Sequence, residues 1–291
     1  MATPHELIHH WPNAPRLPEN PQEPVNMMVL TSIRDVGTCD RNGSTIRTPE
    51  GWPRMEGAVE RLINETRRGG FLSDHIHVTG IITDDMDRDM ADSDYPVEWN
   101  AESPWIHAPD LQNDDGVLIR SPDFTRNIPS DFRLINGLQE PERKAGQKAA
   151  FEDKIATFMQ ERNTQVLLSD HYMARIDYLI GEAHGMYGRV LNIHPAITLA
   201  EHPYCRRGKT PTQDSIDQAQ NDPNTITGAT LHFINNLIDD GPPISHFAGT
   251  PVYRRDKPQQ LRYRNYQQAK LPLLIFGLRH YIENIFPHLH N

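Results

Sequence analysis

Two short apolar runs that flank one amphipathic helix constrain the fold more than any other feature of this sequence. Residues 25–31 and 75–83 are rich in Val, Ile, Leu and Met, which is typical of buried strands. Between them, apolar residues recur at spacings of three and four over residues 50–68, which predicts a helix. Because strand, helix and strand follow one another within about sixty residues, the segment predicts a βαβ unit of a parallel sheet.

The rest of the chain continues the alternation of helices and strands. The further predicted elements are helices over 149–162, 176–184, 212–219 and 266–286, and strands over 165–169, 188–194, 226–234 and 244–247. Residues 88–145 are rich in Asp, Pro and Asn and interrupt this pattern. The sequence therefore predicts a single α/β domain over residues 25–291, with an irregular insertion at about 88–145 and an extended arm over residues 1–24.

Composition excludes several classes of function. The 291 residues carry a formal charge of −10 and no Lys/Arg tract, which argues against a nucleic-acid-binding protein. Cys39 and Cys205 are the only cysteines, so a disulfide scaffold is excluded and a reducing compartment is favoured. No run approaches the roughly 18 apolar residues of a membrane helix, and the start lacks a secretory pattern. We therefore predict a cytoplasmic protein that acts on a small molecule; the sequence does not indicate its oligomeric state.

One pair of histidines raises the possibility of a metal site. His75 and His77 share a strand face, and four aspartates follow within residues 84–89. A pair of histidines without a third spaced ligand is a weak metal signal, and a strand end with a solvated acidic turn explains the same residues. The favoured prediction is that no metal is bound.

A second cluster of polar residues lies at the end of another predicted strand. Asn192 and His194 are two residues apart, so their side chains point the same way at the carboxyl end of an apolar strand. Ligands of open α/β sheets bind at such ends. A later strand leads into the turn Asp239-Asp240-Gly241, which offers two carboxylates. Read alone, each of these features also fits an ordinary structural histidine and an ordinary surface turn.

Taken in order, five segments resemble the folate-dependent formyltransferase family. They are residues 167–176 (LLSDHYMARI), 190–195 (VLNIHP), 207–212 (RGKTPT), 227–233 (TGATLHF) and 238–244 (IDDGPPI). The resemblance implies a Rossmann-like formyltransferase fold, in which helices flank a mostly parallel central sheet. It also implies an enzyme that uses N10-formyltetrahydrofolate as co-substrate, without a metal, to formylate a small-molecule amine or hydroxylamine.

The resemblance assigns catalytic roles to Asn192, His194 and Asp239. Asn192 and an imidazolium at His194 would donate hydrogen bonds to the oxyanion of the tetrahedral intermediate. Asp239 would favour the charged form of His194 and would accept, through water, the proton that the attacking nitrogen loses. The order of residues in the turn aligns the first aspartate with the family's, and Asp240 remains the alternative. The folate would contact Tyr172, Met173, Ala174, Ile176 and Asp239.

The acceptor is implied by the loop after the first strand. Its predicted substrate-binding residues are Arg34, Asp35, Asn42, Gly43 and Ser44. This loop replaces the family's Gly-rich phosphate loop with groups suited to a zwitterionic amino-acid head. The chain looks most like members that formylate the δ-nitrogen of N5-hydroxyornithine in siderophore (pyoverdine) assembly. Ala196, where the family has a small hydroxyl residue, and a longer stretch over 198–206 are departures that leave the shape of the substrate side in question.

Three alternatives stay open on the sequence. The acceptor could be an amino sugar or glycinamide ribonucleotide. A formyltetrahydrofolate hydrolase would use the same Asn, His and Asp with water as the nucleophile. A module that only binds folate is disfavoured, because binding alone does not require all three polar side chains together.

Overall fold

The structure, a computed structural model, describes residues 23–32, 57–86, 111–119, 121–170, 172, 174–182 and 184–289. Its centre is one sheet of seven strands in the spatial order β3-β2-β1-β4-β5-β6-β7. The strands are β1 (Val25–Thr31), β2 (Ile76–Thr83), β3 (Thr125–Asn127), β4 (Val166–Ser169), β5 (Val190–His194), β6 (Ile226–Phe233) and β7 (Pro243–Pro251). The first five are mutually parallel, and β6 pairs antiparallel with both of its neighbours, β5 and β7. The mostly parallel α/β fold predicted from the sequence is therefore confirmed.

The helices cover both faces of the sheet. They are α1 (Ala58–Thr66), α2 (Pro141–Glu161), α3 (Pro211–Ala219), α4 (Pro258–Asn265) and α5 (Leu271–Asn284), with a π-helical turn, Tyr266–Lys270, that joins α4 to α5. Short 3-10 turns lie at Asp131–Leu134 and Phe286–His288. None of the helices in the described ranges is both long and apolar enough to cross a membrane.

Two cores form because successive residues of a strand face opposite sides of the sheet. Met27 and Val29 of β1 pack into the core on the side of α1 and α5. Met28 and Leu30, one residue further in each case, pack against α2 on the other side. A strand buried on both faces must be apolar at every position, which explains why the first run of the sequence does not alternate.

The predicted βαβ unit is present. β1 and β2 pair in parallel from Val25 opposite Ile76 to Thr31 opposite Thr83, and α1 lies between them in the chain. The strand order reverses between β1 and β4, because the chain moves outward through β2 and β3 and then returns. This topological switch point, at the carboxyl ends of the parallel strands, is where ligands of such sheets bind.

One predicted helix is wrong, one begins earlier than predicted, and one strand lies at a position where none was predicted. The described residues of 176–184 form turns, because the N–H groups of Asp177 and Leu179 donate to the Glu152 carboxylate at 3.3 and 2.7 Å. These amides are thus satisfied without helical hydrogen bonds. β3 and the first residues of α2 fall inside the range that the sequence predicts to be an irregular insertion.

Candidate active site

The carboxyl end of β5 carries two of the three side chains that the resemblance implies to be catalytic. Asn192 is half-buried, and His194 is buried with 5% of its surface exposed. Both side chains lie on the same face of β5 and reach the space just beyond the end of the sheet. Pro195 then ends the strand.

Asp239 approaches these two side chains from the turn after β6. Its φ of 51° lies in the left-handed region, which Asp tolerates better than most residues. Its Oδ1 lies 3.2 Å from Asn192 Nδ2, and its Oδ2 lies 3.4 Å from His194 Nδ1. Oδ2 also accepts a hydrogen bond of 2.8 Å from the N–H of Gly208, which holds the carboxylate in place. The structure therefore brings Asn192, His194 and Asp239 together.

Asp240, the alternative carboxylate, has a different partner. It forms an ion pair with Arg207, whose guanidinium also donates to the carbonyl of Thr198 at 3.1 and 2.9 Å. Because this pair turns Asp240 toward the loop before α3, the carboxylate that faces the side chains of β5 is that of Asp239.

His232, on β6, is part of the same cluster and was missed by the sequence reasoning. Its Nδ1 lies 2.8 Å from the carbonyl oxygen of Phe233, so Nδ1 carries the hydrogen. Nε2 then holds a lone pair and accepts from Asn192 Nδ2 at 3.1 Å. The antiparallel register of β5 and β6 sets Asn192 opposite His232. That register was the one signal that could have identified His232, and it requires knowing that the two strands are paired.

Burial controls the charge of His194. Its pKa is lowered to about 4, chiefly by burial; His232 and Lys270 also lower the pKa, whereas Asp239 and the backbone of Arg206 act to raise it. Without a ligand the neutral form of His194 is therefore favoured, because desolvation outweighs the carboxylate, and the imidazolium implied by the resemblance stays a prediction for the reaction itself. At neutral pH the ring is neutral, and its Nδ1 hydrogen faces Asp239. Its Nε2 is buried, holds a lone pair and has no hydrogen-bond partner among the residues that the structure describes.

Asp239 itself stays ionised. Burial acts to raise its pKa, but the nearby His232 and His194 rings and the hydrogen bond from the Gly208 N–H together bring the pKa below its usual value. The centre of the site therefore pairs one fixed negative charge with a neutral imidazole.

A cavity of about 250 Å³ opens beside this cluster. Three of the predicted folate-binding residues, Tyr172, Ala174 and Ile176, line it together with Asp239, while Met173 lies outside the described residues. Leu237 and Ile238 also line it although they are 60% and 54% exposed, which suits a wall that an aromatic ligand would cover. The predicted acceptor-binding residues Arg34, Asp35, Asn42, Gly43 and Ser44 all lie outside the described residues, as does Cys39.

The cavity also has a charged side that the sequence reasoning missed. Lys270, in the π-helical turn, is fully buried and lines the cavity. Its Nζ donates to Asp170 Oδ1 at 2.5 Å and to the Tyr266 hydroxyl at 2.8 Å. Tyr266 belongs to the core on the α5 side, whereas Ile176 belongs to the core on the α2 side. The cavity thus lies at the end of the sheet and is lined by residues from the cores on both of its faces.

Three residues of the metal hypothesis, His75, Asp84 and Asp85, have other partners, and Asp87 and Asp89 lie outside the described residues. His75 Nε2 lies 2.9 Å from Oε1 of Glu283, which belongs to α5. Asp84 accepts from the Ser130 hydroxyl and Asp85 from the Ser32 hydroxyl, each at 2.9 Å. Among the described residues, no group of three or more His, Cys, Asp or Glu is arranged to hold a metal ion.

Solved structures share this architecture. The structure of PvdF, described as a structurally unique N10-formyltetrahydrofolate-dependent formyltransferase of pyoverdin biosynthesis, superposes with a TM-score of 0.75 and 23% identity. The match covers 89% of this chain and 100% of that one. A formyltetrahydrofolate deformylase from Burkholderia mallei gives a TM-score of 0.51 at 15% identity, over 91% of this chain and 67% of that one. The chain has the formyltransferase fold.

A sequence relative of the formyltransferase fold gives a shorter match. The phosphoribosylglycinamide formyltransferase of Bacillus subtilis is 29% identical over 101 residues, which is 35% of this chain. The match spans 46% of the length of that relative. No protein-family model matches the chain. The likeness to formyltransferases is therefore carried by the fold over most of the chain, and by sequence over about a third of it.

Proposed function

We propose that this protein transfers a formyl group from N10-formyltetrahydrofolate to the nitrogen of a small-molecule acceptor. One observation carries the proposal: a buried His194 Nε2, which no described residue hydrogen-bonds, lies at a cavity, next to Asn192 and an ionised Asp239. A buried polar atom left unpaired costs free energy unless a ligand satisfies it. Formyl transfer needs a proton acceptor and hydrogen-bond donors around one carbonyl carbon, and this arrangement supplies them.

The charge states suggest how the residues act. The lone pair of the acceptor nitrogen attacks the formyl carbon, and the carbonyl π electrons move to oxygen. His194 Nε2 takes the proton that the nitrogen loses, and Asp239 stabilises the imidazolium so formed across the 3.4 Å contact. The imidazolium then donates to the oxyanion and returns the proton to N10 as the bond between N10 and the formyl carbon breaks.

Asn192 is the second donor to the oxyanion. In this structure its two amide hydrogens face Asp239 and His232. Turning the amide over would set its oxygen against the carboxylate, so the orientation follows from the charge of Asp239. Donation to the oxyanion requires that the bound carbonyl replace one of these two partners, and the contact of 3.2 Å with Asp239 is the longer one.

The acceptor that we favour is the δ-nitrogen of N5-hydroxyornithine. The likeness to PvdF, over the whole of that chain, supports an acceptor of siderophore assembly. Chemistry supports it too, because a primary amine with a pKa near that of lysine, about 10.4, is mostly protonated and cannot attack. A hydroxylamine nitrogen is far less basic and is neutral at pH 7. Arg34, Asp35, Asn42, Gly43 and Ser44 are proposed to hold the amino-acid head, and Tyr172, Met173, Ala174 and Ile176 the folate.

A hydrolase is the second candidate function. The deformylase has the same fold, and a water molecule on His194 Nε2 could attack the same carbonyl. Formylation of an amino sugar or of glycinamide ribonucleotide is the remaining alternative, which the short match to the Bacillus subtilis relative keeps open.

The deciding experiment follows N10-formyltetrahydrofolate by absorbance with N5-hydroxyornithine, ornithine, glycinamide ribonucleotide, an amino sugar or water as the acceptor. We expect turnover with N5-hydroxyornithine and formation of its N-formyl product, detected by mass spectrometry. Equal consumption of the folate without any acceptor would establish the hydrolase. No turnover with any acceptor, from a protein that binds the folate, would refute formyl transfer to these nitrogens.

A further inference from the structure

The part of the chain that carries most of the proposed folate contacts receives little support from its own backbone. Tyr172, Ala174 and Ile176 line the cavity, in a stretch between β4 and β5 whose described residues form neither helix nor strand. We call residues 172 and 174–181 the folate segment. Within the described part of the chain, residues 174–177 form no backbone–backbone hydrogen bond. Side chains from other elements therefore decide where this wall of the cavity lies.

One face of α2 supplies such side chains. Four residues spaced three and four apart along the helix share that face: Lys148, Phe151, Glu152 and Ile155. The Phe151 ring stacks on the Tyr172 ring, with 5.8 Å between the ring centroids and 8° between the ring planes. Phe151 and Ile155 belong to one buried core, against which Tyr172 packs. The folate segment thus rests on α2 through apolar contacts.

Glu152 adds a polar contact that fixes the backbone of the segment. Its side chain is fully buried, and its carboxylate accepts hydrogen bonds from the N–H groups of Leu179 and Asp177, at 2.7 and 3.3 Å. Lys148 Nζ lies 3.5 Å from Glu152 Oε1 and also forms an ion pair with the Asp177 carboxylate. Asp177 directly follows Ile176 in the chain. The backbone next to a cavity-lining side chain is therefore held by a carboxylate on another element.

A buried carboxylate at this position contributes little net stability of its own. Removal of a carboxylate from water costs free energy, and burial accordingly raises the pKa of Glu152 above its usual value. The two N–H donors and the Lys148 ammonium offset this cost. Within the described part of the chain, the hydrogen bonds to this carboxylate come from the folate segment. The clearest consequence of the carboxylate is thus the placement of that segment.

We propose that Glu152 is a positioning residue, which holds the folate segment in the arrangement that receives the co-substrate. The inference rests on the proposed function. Glu152 does not line the cavity, so it acts through the segment and does not touch the ligand. Arg175, in the same segment, donates to the carbonyl of Asn236 at 3.2 Å, which joins the segment to the stretch that leads to Asp239. Without Glu152 the segment populates other arrangements, and the apparent Kd of the folate rises by the inverse of the competent fraction.

The test compares folate binding in wild type, Glu152→Gln and Glu152→Ala. Gln keeps one acceptor oxygen, which serves the N–H of Leu179, whereas Ala keeps none. The Kd of N10-formyltetrahydrofolate, measured by fluorescence titration without an acceptor, should rise by about tenfold or more in Glu152→Ala and by less in Glu152→Gln. The kcat at saturating folate and the KM of the acceptor should stay within about twofold of wild type, because the bound folate itself holds the segment.

Thr79→Val is the matched control for the loss of a buried hydrogen bond. Thr79 Oγ1 lies 2.7 Å from Thr164 Oγ1, and neither residue lines the cavity. This variant should lower the melting temperature without changing the Kd of the folate. Hydrogen exchange adds a readout that does not depend on activity. The N–H of Leu179 should exchange faster in Glu152→Ala than in wild type, and bound folate should slow this exchange.

The outcomes separate this inference from the proposed function. An unchanged Kd of the folate in folded Glu152→Ala, or an equal rise in Thr79→Val, would overturn the role of Glu152. If Glu152→Ala does not fold, Glu152→Gln, which keeps the size and shape of the side chain, carries the same test. A wild type that binds the folate but formylates no acceptor would refute the proposed function alone, because the Kd values and exchange rates would still decide the role of Glu152.

Discussion

Replacing Asp239 by Asn tests the site with the smallest possible change in shape. The carboxylate accepts from Asn192 at Oδ1 and from the Gly208 N–H at Oδ2, and Oδ2 also faces His194 Nδ1. An amide has only one oxygen. Because the backbone N–H of Gly208 cannot turn away, the oxygen of the new amide must stay at the Oδ2 position.

The new NH2 group then faces the amide of Asn192, donor against donor. Asn192 relieves this contact by turning over, which sets its oxygen against the lone pair of His232 Nε2. The donor for the oxyanion is lost, and so is the charge that stabilises the imidazolium of His194. Loss of one such donor typically costs about 10²–10³ in kcat. With the lost charge added, we expect a fall in kcat of about 10³ or more.

The fold should survive this change, since Asn accepts a φ of 51° at least as well as Asp does. The assay is single-turnover formyl transfer from N10-formyltetrahydrofolate, with folate affinity measured separately by fluorescence. The matched control is Asp240→Asn, which breaks only the ion pair with Arg207 and should retain most of the activity. If Asp240→Asn is inactive and Asp239→Asn is active, the assignment of the catalytic carboxylate is refuted.

Three further predictions concern a buried histidine, a buried carboxylate and a close backbone contact. The pKa of His194 is about 4 when folded and 6.5 when unfolded, so the unfolded chain binds more protons between these values. Stability should therefore fall by about 3 kcal/mol from pH 7 to 4 through this residue, and urea unfolding of His194→Gln should show a smaller pH dependence. Glu152→Ala should leave the N–H of Leu179 unpaired, cost about 1–3 kcal/mol and raise the KM for folate more than that for the acceptor. Gly241→Ala should destabilise the turn, because a Cβ there would lie 1.6 Å from the carbonyl oxygen of Phe233; an unchanged melting temperature would contradict this.

The sequence pattern predicted those elements whose formation depends on the residues of the element itself. The strands predicted from the apolar runs of β1, β2, β4 and β5 are present, because a strand buried on both faces must be apolar throughout. The convergence of Asn192, His194 and Asp239 was implied by the resemblance, and the structure places the three side chains within hydrogen-bonding or ion-pair distances. The helix predicted over 176–184 was wrong because a carboxylate on another helix, that of Glu152, satisfies the backbone there.

What the sequence could not supply depends on contacts between distant segments. Asp170 and Lys270 are a hundred positions apart, and their pairing depends on a π-helical turn that has no pattern of its own. The low pKa of His194 was not predicted, because the sequence shows a partner, Asp239, but not the depth of burial. A carboxylate in contact favours an imidazolium, whereas removal of water disfavours it, and only the structure shows which effect is larger.

The same competition explains why the site combines an ionised Asp239 with a neutral His194. Around one carboxylate stand two imidazoles, those of His194 and His232, at 3.4 and 3.7 Å. Were His194 already protonated, its Nε2 could not take the proton of an attacking nitrogen. Because burial keeps it neutral, it accepts that proton only as the bond to the formyl carbon forms, and Asp239 then stabilises the new charge. A neutral His194 beside an ionised Asp239 thus supplies the proton acceptor that the proposed reaction requires.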